Sequence, residues 1–418
     1  MAERSLAFVV QRYGAEVVGG SESLCRVIAE MMSSYGPVDV LTSCADDYIT
    51  WRDTYPAGRS SLNGVTVRRF PVDFERPQAF NEVMGAILGG LPLSAYDKQK
   101  SLMRAAIARS STEQQLTCLK LQGPYSTPLL SYLAERSRDY DLVVFFTYLY
   151  ATTFYGSQKT PAAKTVLVPT AHDEAPIFFP VFRNMFARFP AYIFLTIEER
   201  RFMEEAFDID EAIKTTAGMP VELPATPDAD RFRANYGINE PFVLYAGRLD
   251  PSKGCDELLA YFRAARGQLP EHTKLVLIGS RAMDIPADRD VLYLGMLSEQ
   301  DKVDAMAAAS VFVNPSRFES FSIVVLEAML CGTPVLVNGI SEVLRGHVLR
   351  SRAGLYYQTA YEFVEAIRLL LGDGELRQRL GRNGMSYVAA NYSLATVKKR
   401  YLTFFARAQA VAELERSR

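Results

Sequence analysis

Short β-branched runs alternate with amphipathic stretches along most of the chain, stop at a proline-rich break, and then begin again. This repeated alternation constrains the fold more than any other feature, because strands separated by helices form βαβ units around a mostly parallel sheet. In the first half the strand-like runs are 6–10, 38–42, 65–70, 142–146, 165–169 and 192–195, with helix-like segments at 21–34, 127–138 and 198–207. Strand signals are missing from about 71 to 123, so that interval reads as a helical insertion or lid. Prolines 220, 224 and 227, with Gly218, favour an extended linker. Beyond it, strands are expected at 242–245, 274–278, 291–294, 311–314 and 334–338. Helices are expected at 255–268, 298–309, 321–330 and 361–371, and a long one from 394 to about 415. The expected fold class is α/β, with two Rossmann-like parallel-sheet domains facing across a cleft. The first domain should span 1–217, the linker 218–240 and the second domain 241–392, with a helical segment at 393–418.

Length agrees with two cores, since 418 residues exceed what one ordinary core holds. A net charge of −2 gives no basic field for nucleic acid. The five cysteines are scattered, odd in number and form no C-x-x-C, which suits a reducing compartment and offers no metal cage. The apolar stretch at 6–10 is too short for a signal peptide or a membrane span. A cytoplasmic chain is expected, with peripheral contact at the inner face of the membrane left open.

In doubly wound sheets ligands sit outside the carboxyl ends of the strands, beside helix N-termini. Gly19 and Gly20, before Ser21 and Glu22, lie between the first strand and the first helix. Free N–H groups there attract an anion, with Ser21 as the expected N-cap; a turn serving chain reversal alone is the competing reading. Arg248 and Lys253, in GRLDPSKG at 247–254, follow a strand directly and suit a diphosphate leaving group. Glu319 should occupy the loop before a helix that carries Glu327, and carboxylates accept from sugar hydroxyls. Either glutamate alone would read as a solvated charge. His172 follows the strand at 165–169 and should face the cleft, although a lone histidine is more often a structural hydrogen-bonder. Three scattered histidines make a histidine metal site unexpected. The Asp-x-Asp triplets at 208–210, 228–230 and 288–290 read as loop or cap aspartates, so no metal and no cofactor is expected. The stretch 178–189 mixes aromatics with arginines; it reads as a core helix in preference to a membrane-resting one.

Together, GGSE at 19–22, TAHDE at 170–174, GRLDPSKG at 247–254, NPSRFESFSIVVLEAMLCGTPVL at 314–336 and GLYYQ at 354–358 resemble the retaining family 4 (group 1) glycosyltransferases of the GT-B fold. The two glutamates separated by seven residues are the most specific match. The resemblance implies that Arg248 and Lys253 hold the diphosphate of a nucleotide-sugar donor, helped by amides near Gly19 and Gly20. Glu327 would accept from ribose, backbone near Leu297 would meet the base, and Glu319 with Phe321 and Ser322 would contact the sugar. His172 would act at the reacting centre. The first domain would be the acceptor side, and the terminal helix would cross back to it. A UDP- or GDP-hexose donor and a glycan or lipid-linked acceptor, as in bacterial surface polysaccharide synthesis, follow from the same resemblance. A sugar-nucleotide epimerase or a non-catalytic nucleotide-sugar-binding protein are the alternatives. One departure stands out: the family's frequent Glu-Gly-Phe-Gly is Glu319-Ser-Phe-Ser322 here.

Overall fold

The computed structural model describes residues 5–17 and 19–416; residues 1–4, 18, 417 and 418, which the expected domain ranges include, lie outside them. The chain divides into two compact units, Met1–Met219 with Lys398–Arg418, and Pro220–Val397.

In the first unit the strands are β1 (Leu6–Val9), β2 (Val38–Ser43), β3 (Gly58–Leu62), β4 (Val65–Phe70), β5 (Leu142–Phe146), β6 (Thr165–Val168), β7 (Ala191–Phe194) and β8 (Ile213–Thr216). They form one sheet in the order β3-β4-β2-β1-β5-β6-β7-β8. All neighbours are parallel except β3 and β4, which are antiparallel. The helices are α1 (Gly20–Ser33), α2 (Ala79–Ile87), α3 (Tyr96–Arg109), α4 (Thr112–Gln122), α5 (Thr127–Arg136), α6 (Ala151–Lys159), α7 (Pro180–Arg188) and α8 (Ile197–Ala206). The central strands are apolar and buried along their whole length, as two helical layers require. Two strands add to the expected set. The outer strand β3 reads GRSSL and is largely exposed, so no apolar alternation marks it; its signal is the Asn63-Gly64 turn, with φ of 48° and 82°. Strand β8 is short and half-buried. The interval 71–123 is helical, contributing α2 to α4. The aromatic stretch at 178–189 is a core helix: Val181, Phe182, Met185 and Phe186 of α7 are buried, and Arg188 caps carbonyls of Ser157 and Thr160.

The second unit holds α9 (Ala229–Tyr236), β9 (Phe242–Ala246), α10 (Cys255–Ala265), β10 (Lys274–Ile278), β11 (Val291–Gly295), α11 (Glu299–Ala308), β12 (Val311–Asn314), α12 (Ile323–Leu330), β13 (Val335–Asn338), α13 (Glu342–Ser351), β14 (Gly354–Tyr357), α14 (Ala360–Gly372) and α15 (Gly374–Tyr392). Its sheet is parallel throughout, in the order β11-β10-β9-β12-β13-β14. The proline window 218–228 carries no helix or strand, as expected, and α9 opens directly after it at Ala229, inside the range 218–240 taken as linker. Asp228 caps that helix by accepting from the Arg231 N–H at 3.0 Å, and Phe232 buries its ring against Phe242. Arg231 also grips the buried Asp304 through Nε at 2.6 Å and a second guanidinium nitrogen at 2.8 Å. Two helices absent from the expected set, α13 and α15, complete the unit.

The final helix, α16 (Leu394–Arg416), belongs to the first unit from Lys398 onward. There Tyr401 donates to the Gly218 carbonyl at 3.1 Å, and Phe405 packs 6.5 Å from Phe8. Both sheets reverse their strand order at one place, between β1 and β5 and between β9 and β12. Such reversals open a crevice at the strands' carboxyl ends.

Candidate functional site

The reversal in the second unit puts the loops after β9 and β12 side by side. Gly254 shows how tightly they meet. Its φ is 76°, and a Cβ there would lie 2.4 Å from the Pro315 carbonyl oxygen, so the end of one loop rests directly on the start of the other. Asp250 organises the 247–254 loop by accepting from the Ser252 N–H at 2.8 Å, and its carboxylate faces Arg248 Nε at 3.4 Å. Burial would raise the Asp250 pKa, but these hydrogen bonds and the charges of Arg248 and Lys253 hold it below the ordinary value.

Lys253 reaches across to Glu319, with Nζ 3.0 Å from Oε1. Glu319 thus sits beside the cation at the first loop, on a segment anchored by Arg317 to Glu257 at 2.9 Å. Glu327 lies within α12, whose remaining residues are apolar, and is nearly enclosed. Burial pushes its pKa up, and the Lys302 ammonium opposes that, lying 3.3 Å from both carboxylate oxygens. Lys302 is also 2.7 Å from Glu299. The sequence reading missed Lys302; its signal is a lysine in the turn after the Ser298 N-cap, on the helix that follows Leu297. Leu297 itself is half-buried between β11 and α11. The Phe321 ring is turned inward, 3% exposed, so what it could offer outward is backbone. Ser322 is buried, with φ 62° and ψ 68°.

In the first unit, α1 begins at Gly20 with Gly19 as N-cap, which corrects the placing of Ser21 there. Ser21 lies in the first turn; its hydroxyl accepts from Gln11 at 2.8 Å and donates to Glu22 at 3.0 Å. Glu22 is buried against Arg12, whose Nε donates to Oε1 at 2.8 Å. Gly20 is exposed, and a Cβ there would meet, among the described residues, no atom within 4 Å beyond its chain neighbours and the helix's own backbone.

His172 follows β6, as the sequence predicts, and is half-buried. Its Nε2 lies 3.4 Å from Glu174 Oε2, and Tyr148 donates to Glu174 Oε1 at 2.7 Å. Although burial would raise the Glu174 pKa, the His172 charge and these hydrogen bonds hold it below its ordinary range. The loop is built under constraint, because Thr147 and Thr170, both β-branched, take φ of 65° and 51° and join hydroxyls at 3.0 Å. Asp173 ties it to α3 by accepting from Tyr96 at 2.6 Å, Lys100 at 2.8 Å and Arg104 at 2.7 Å. The helical insertion therefore braces the histidine loop, a role its sequence does not display. Beneath the loop, the buried Glu199 accepts the Ala171 and Leu195 N–H groups, each at 2.7 Å.

The Asp-x-Asp triplets are structural where they pair: Asp288 and Asp290 engage Arg266 and Lys274. Among the described residues, no group of three or more His, Cys, Asp or Glu side chains could hold a metal ion. No helix among them is long and apolar enough to cross a membrane.

Residues 228–387 match the model for glycosyl transferases group 1. An alpha-D-kanosaminyltransferase of Streptomyces kanamyceticus is 30% identical over 187 residues, covering 39% of this chain and 45% of the relative. A GDP-mannose-dependent monoacylated alpha-(1-6)-phosphatidylinositol monomannoside mannosyltransferase of Corynebacterium glutamicum is 29% identical over 192 residues, 41% of this chain and 49% of the relative. The chain thus spans about half the length of the curated relatives it matches. Among solved structures, sucrose-phosphate synthase from Thermosynechococcus elongatus aligns with a TM-score of 0.70 at 18% identity, over 97% of this chain and 99% of that one. Anabaena HepE in complex with UDP and glucose aligns with a TM-score of 0.67 at 17% identity, over 97% and 100%. At these identities the structures speak to the fold, and their architecture is GT-B. With both sheets accounted for, the pattern of the glycosyl transferases group 1 model is seated on the switch-point loops of the second, within residues 228–387.

Proposed function

We propose that this chain transfers a hexose-type sugar from a UDP- or GDP-linked donor to a glycan or lipid-linked acceptor, with retention of anomeric configuration and without a metal. The observation that carries the reading is the convergence of Arg248, Lys253, Glu319 and Glu327 on the loops and helix that follow β9 and β12. In this reading Arg248 and Lys253 receive the charge that develops on the departing diphosphate, which is where an oxocarbenium-like transition state needs stabilisation. Glu327, beside the Lys302 ammonium, accepts from the ribose hydroxyls. Glu319 and the backbone of Phe321 and Ser322 meet the sugar, and backbone near Leu297 meets the base. On the first unit, the space left open at Gly20 suits close approach of an anion to the α1 N-terminus. His172, oriented by Glu174, acts on the sugar at the reacting centre. The names of the relatives support a nucleotide-sugar donor: one is GDP-mannose-dependent, and the structure of another holds UDP and glucose.

Calorimetric titration with UDP-, GDP- and ADP-sugars in the absence of metal tests the donor assignment. One nucleotide class should bind, and Glu327→Ala should weaken it by about 1–3 kcal/mol for a lost charged hydrogen bond. A folded sample that binds none of them would remove the donor site. Product configuration, read by NMR with the selected donor, tests retention; turnover without an acceptor would favour the epimerase reading.

A further inference from the structure

The loop between Glu319 and α12 is held in a conformation its sequence does not favour. Ser322 occupies the left-handed region, where a side chain is strained and glycine is at ease. Three contacts keep it there. Asn314 Nδ2 donates to Ser322 Oγ at 2.9 Å. The Phe321 ring is locked edge-on against Tyr392 at 5.3 Å and His347 at 6.0 Å. The Phe321 carbonyl is paired with His347 Nε2 at 3.0 Å.

His347 is completely buried on α13, and its role is set by its partners. A carbonyl only accepts, so Nε2 must carry the proton and donate; Nδ1 then accepts from the Tyr387 hydroxyl at 3.2 Å. Burial and the nearby Arg350 charge push the His347 pKa down to about 3, so this neutral tautomer persists across the working pH range. Tyr387 belongs to α15 and also receives Arg350 Nε at 3.4 Å. The chain from α15 through His347 to Phe321 therefore ends one residue before the strained Ser322.

We propose that His347 and Asn314 are positioning residues that hold the Glu319–Ser322 loop in its left-handed turn and so fix where Glu319 is presented to the donor sugar. The proposal rests on the donor-site reading above, but the conformational part can be measured without it. Loss of the carbonyl's partner should let Ser322 relax into an ordinary conformation and carry Glu319 with it.

The test compares His347→Phe, His347→Gln, Ser322→Gly and the double variant His347→Phe/Ser322→Gly. Hydrogen–deuterium exchange of the peptide 316–324 should rise in His347→Phe and stay near wild type in His347→Gln, whose amide can still donate. With UDP, GDP and their glucose and mannose conjugates as probes, His347→Phe should bind the free nucleotide as wild type does. Its affinity for the sugar conjugate should fall about ten-fold or more, the loss of roughly one charged hydrogen bond. Ser322→Gly in that background should restore most of the loss, because glycine needs no support in the left-handed region. Unchanged exchange at 316–324 would overturn the proposal, as would a double variant no better than His347→Phe alone. If wild type binds no nucleotide sugar, the donor reading fails, while the exchange results still decide the positioning role. Should His347→Phe not fold, Asn314→Ala carries the same comparisons and the same outcomes.

Discussion

Glu199 is wholly enclosed in the first unit, and glutamine at that position keeps its shape while removing its ability to ionise. Burial pushes the carboxyl up to about 7 from an ordinary 4.5, against the opposing pull of the Leu195 and Ala171 amides and the His172 charge. Between those values the unfolded chain has released the proton while the folded chain still holds it. Stability is therefore full below about pH 4.5, falls as pH rises through the window, and levels off above about pH 7. The difference between 7 and 4.5, at about 1.4 kcal/mol per pH unit, sets a ceiling of roughly 3 kcal/mol. From about pH 5 to about pH 8 the expected loss is about 2.5 kcal/mol. Glu199→Gln cannot show it. The variant carries a separate cost of about 1–3 kcal/mol, because its NH₂ faces a backbone N–H that loses its acceptor, and that cost is independent of pH. Relative to wild type, then, the variant should gain about 2.5 kcal/mol across the window. The assay is denaturant unfolding followed by Trp51 fluorescence. Trp51 is the chain's one tryptophan, is buried in the same unit, and donates its indole N–H to the Gln122 carbonyl at 2.6 Å. A stability difference that stays constant within about 0.5 kcal/mol over this range would refute the raised pKa of Glu199.

Gly254→Ala should destabilise the second unit by about 2 kcal/mol or more, from left-handed strain plus the clash with Pro315; thermal unfolding that matches wild type would contradict the close approach of the two loops. Asp304→Asn weakens the buried acceptor that Arg231 grips, and denaturant midpoints should show a loss of about 1–3 kcal/mol for the weakened charged hydrogen bonds. Lys302→Met removes the ammonium that opposes the upward pull of burial on Glu327, so its pKa rises further. A protonated Glu327 is a poorer acceptor, and calorimetry of the variant should find nucleotide affinity falling as pH is lowered, more steeply than in wild type.

Most residues of the candidate site could be placed from the sequence because they stand on recognisable strand ends. The strands before Arg248, Glu319 and His172 are buried on both faces and read as apolar runs, so their carboxyl ends could be located without coordinates. Elements without such a run escaped: β3 is polar and exposed, and α9 is a short helix that follows directly on the proline-rich stretch. Lys302, Glu199 and His347 escaped for another reason. Each acts through a partner remote in sequence, such as the carboxylate 25 positions from Lys302 or the carbonyl 26 positions from His347.

What the sequence by itself determined is the class of fold, two doubly wound sheets, and the loops where chemistry can sit, since hydrophobic periodicity and strand–helix alternation are local properties. Tertiary structure alone decided that Lys253 meets Glu319, that Lys302 straddles the Glu327 carboxylate, and that a histidine on α13 meets the Phe321 carbonyl before α12. Those pairings depend on strand order, because a parallel sheet brings together loops separated by whole βαβ units, and no local pattern records which ends become neighbours.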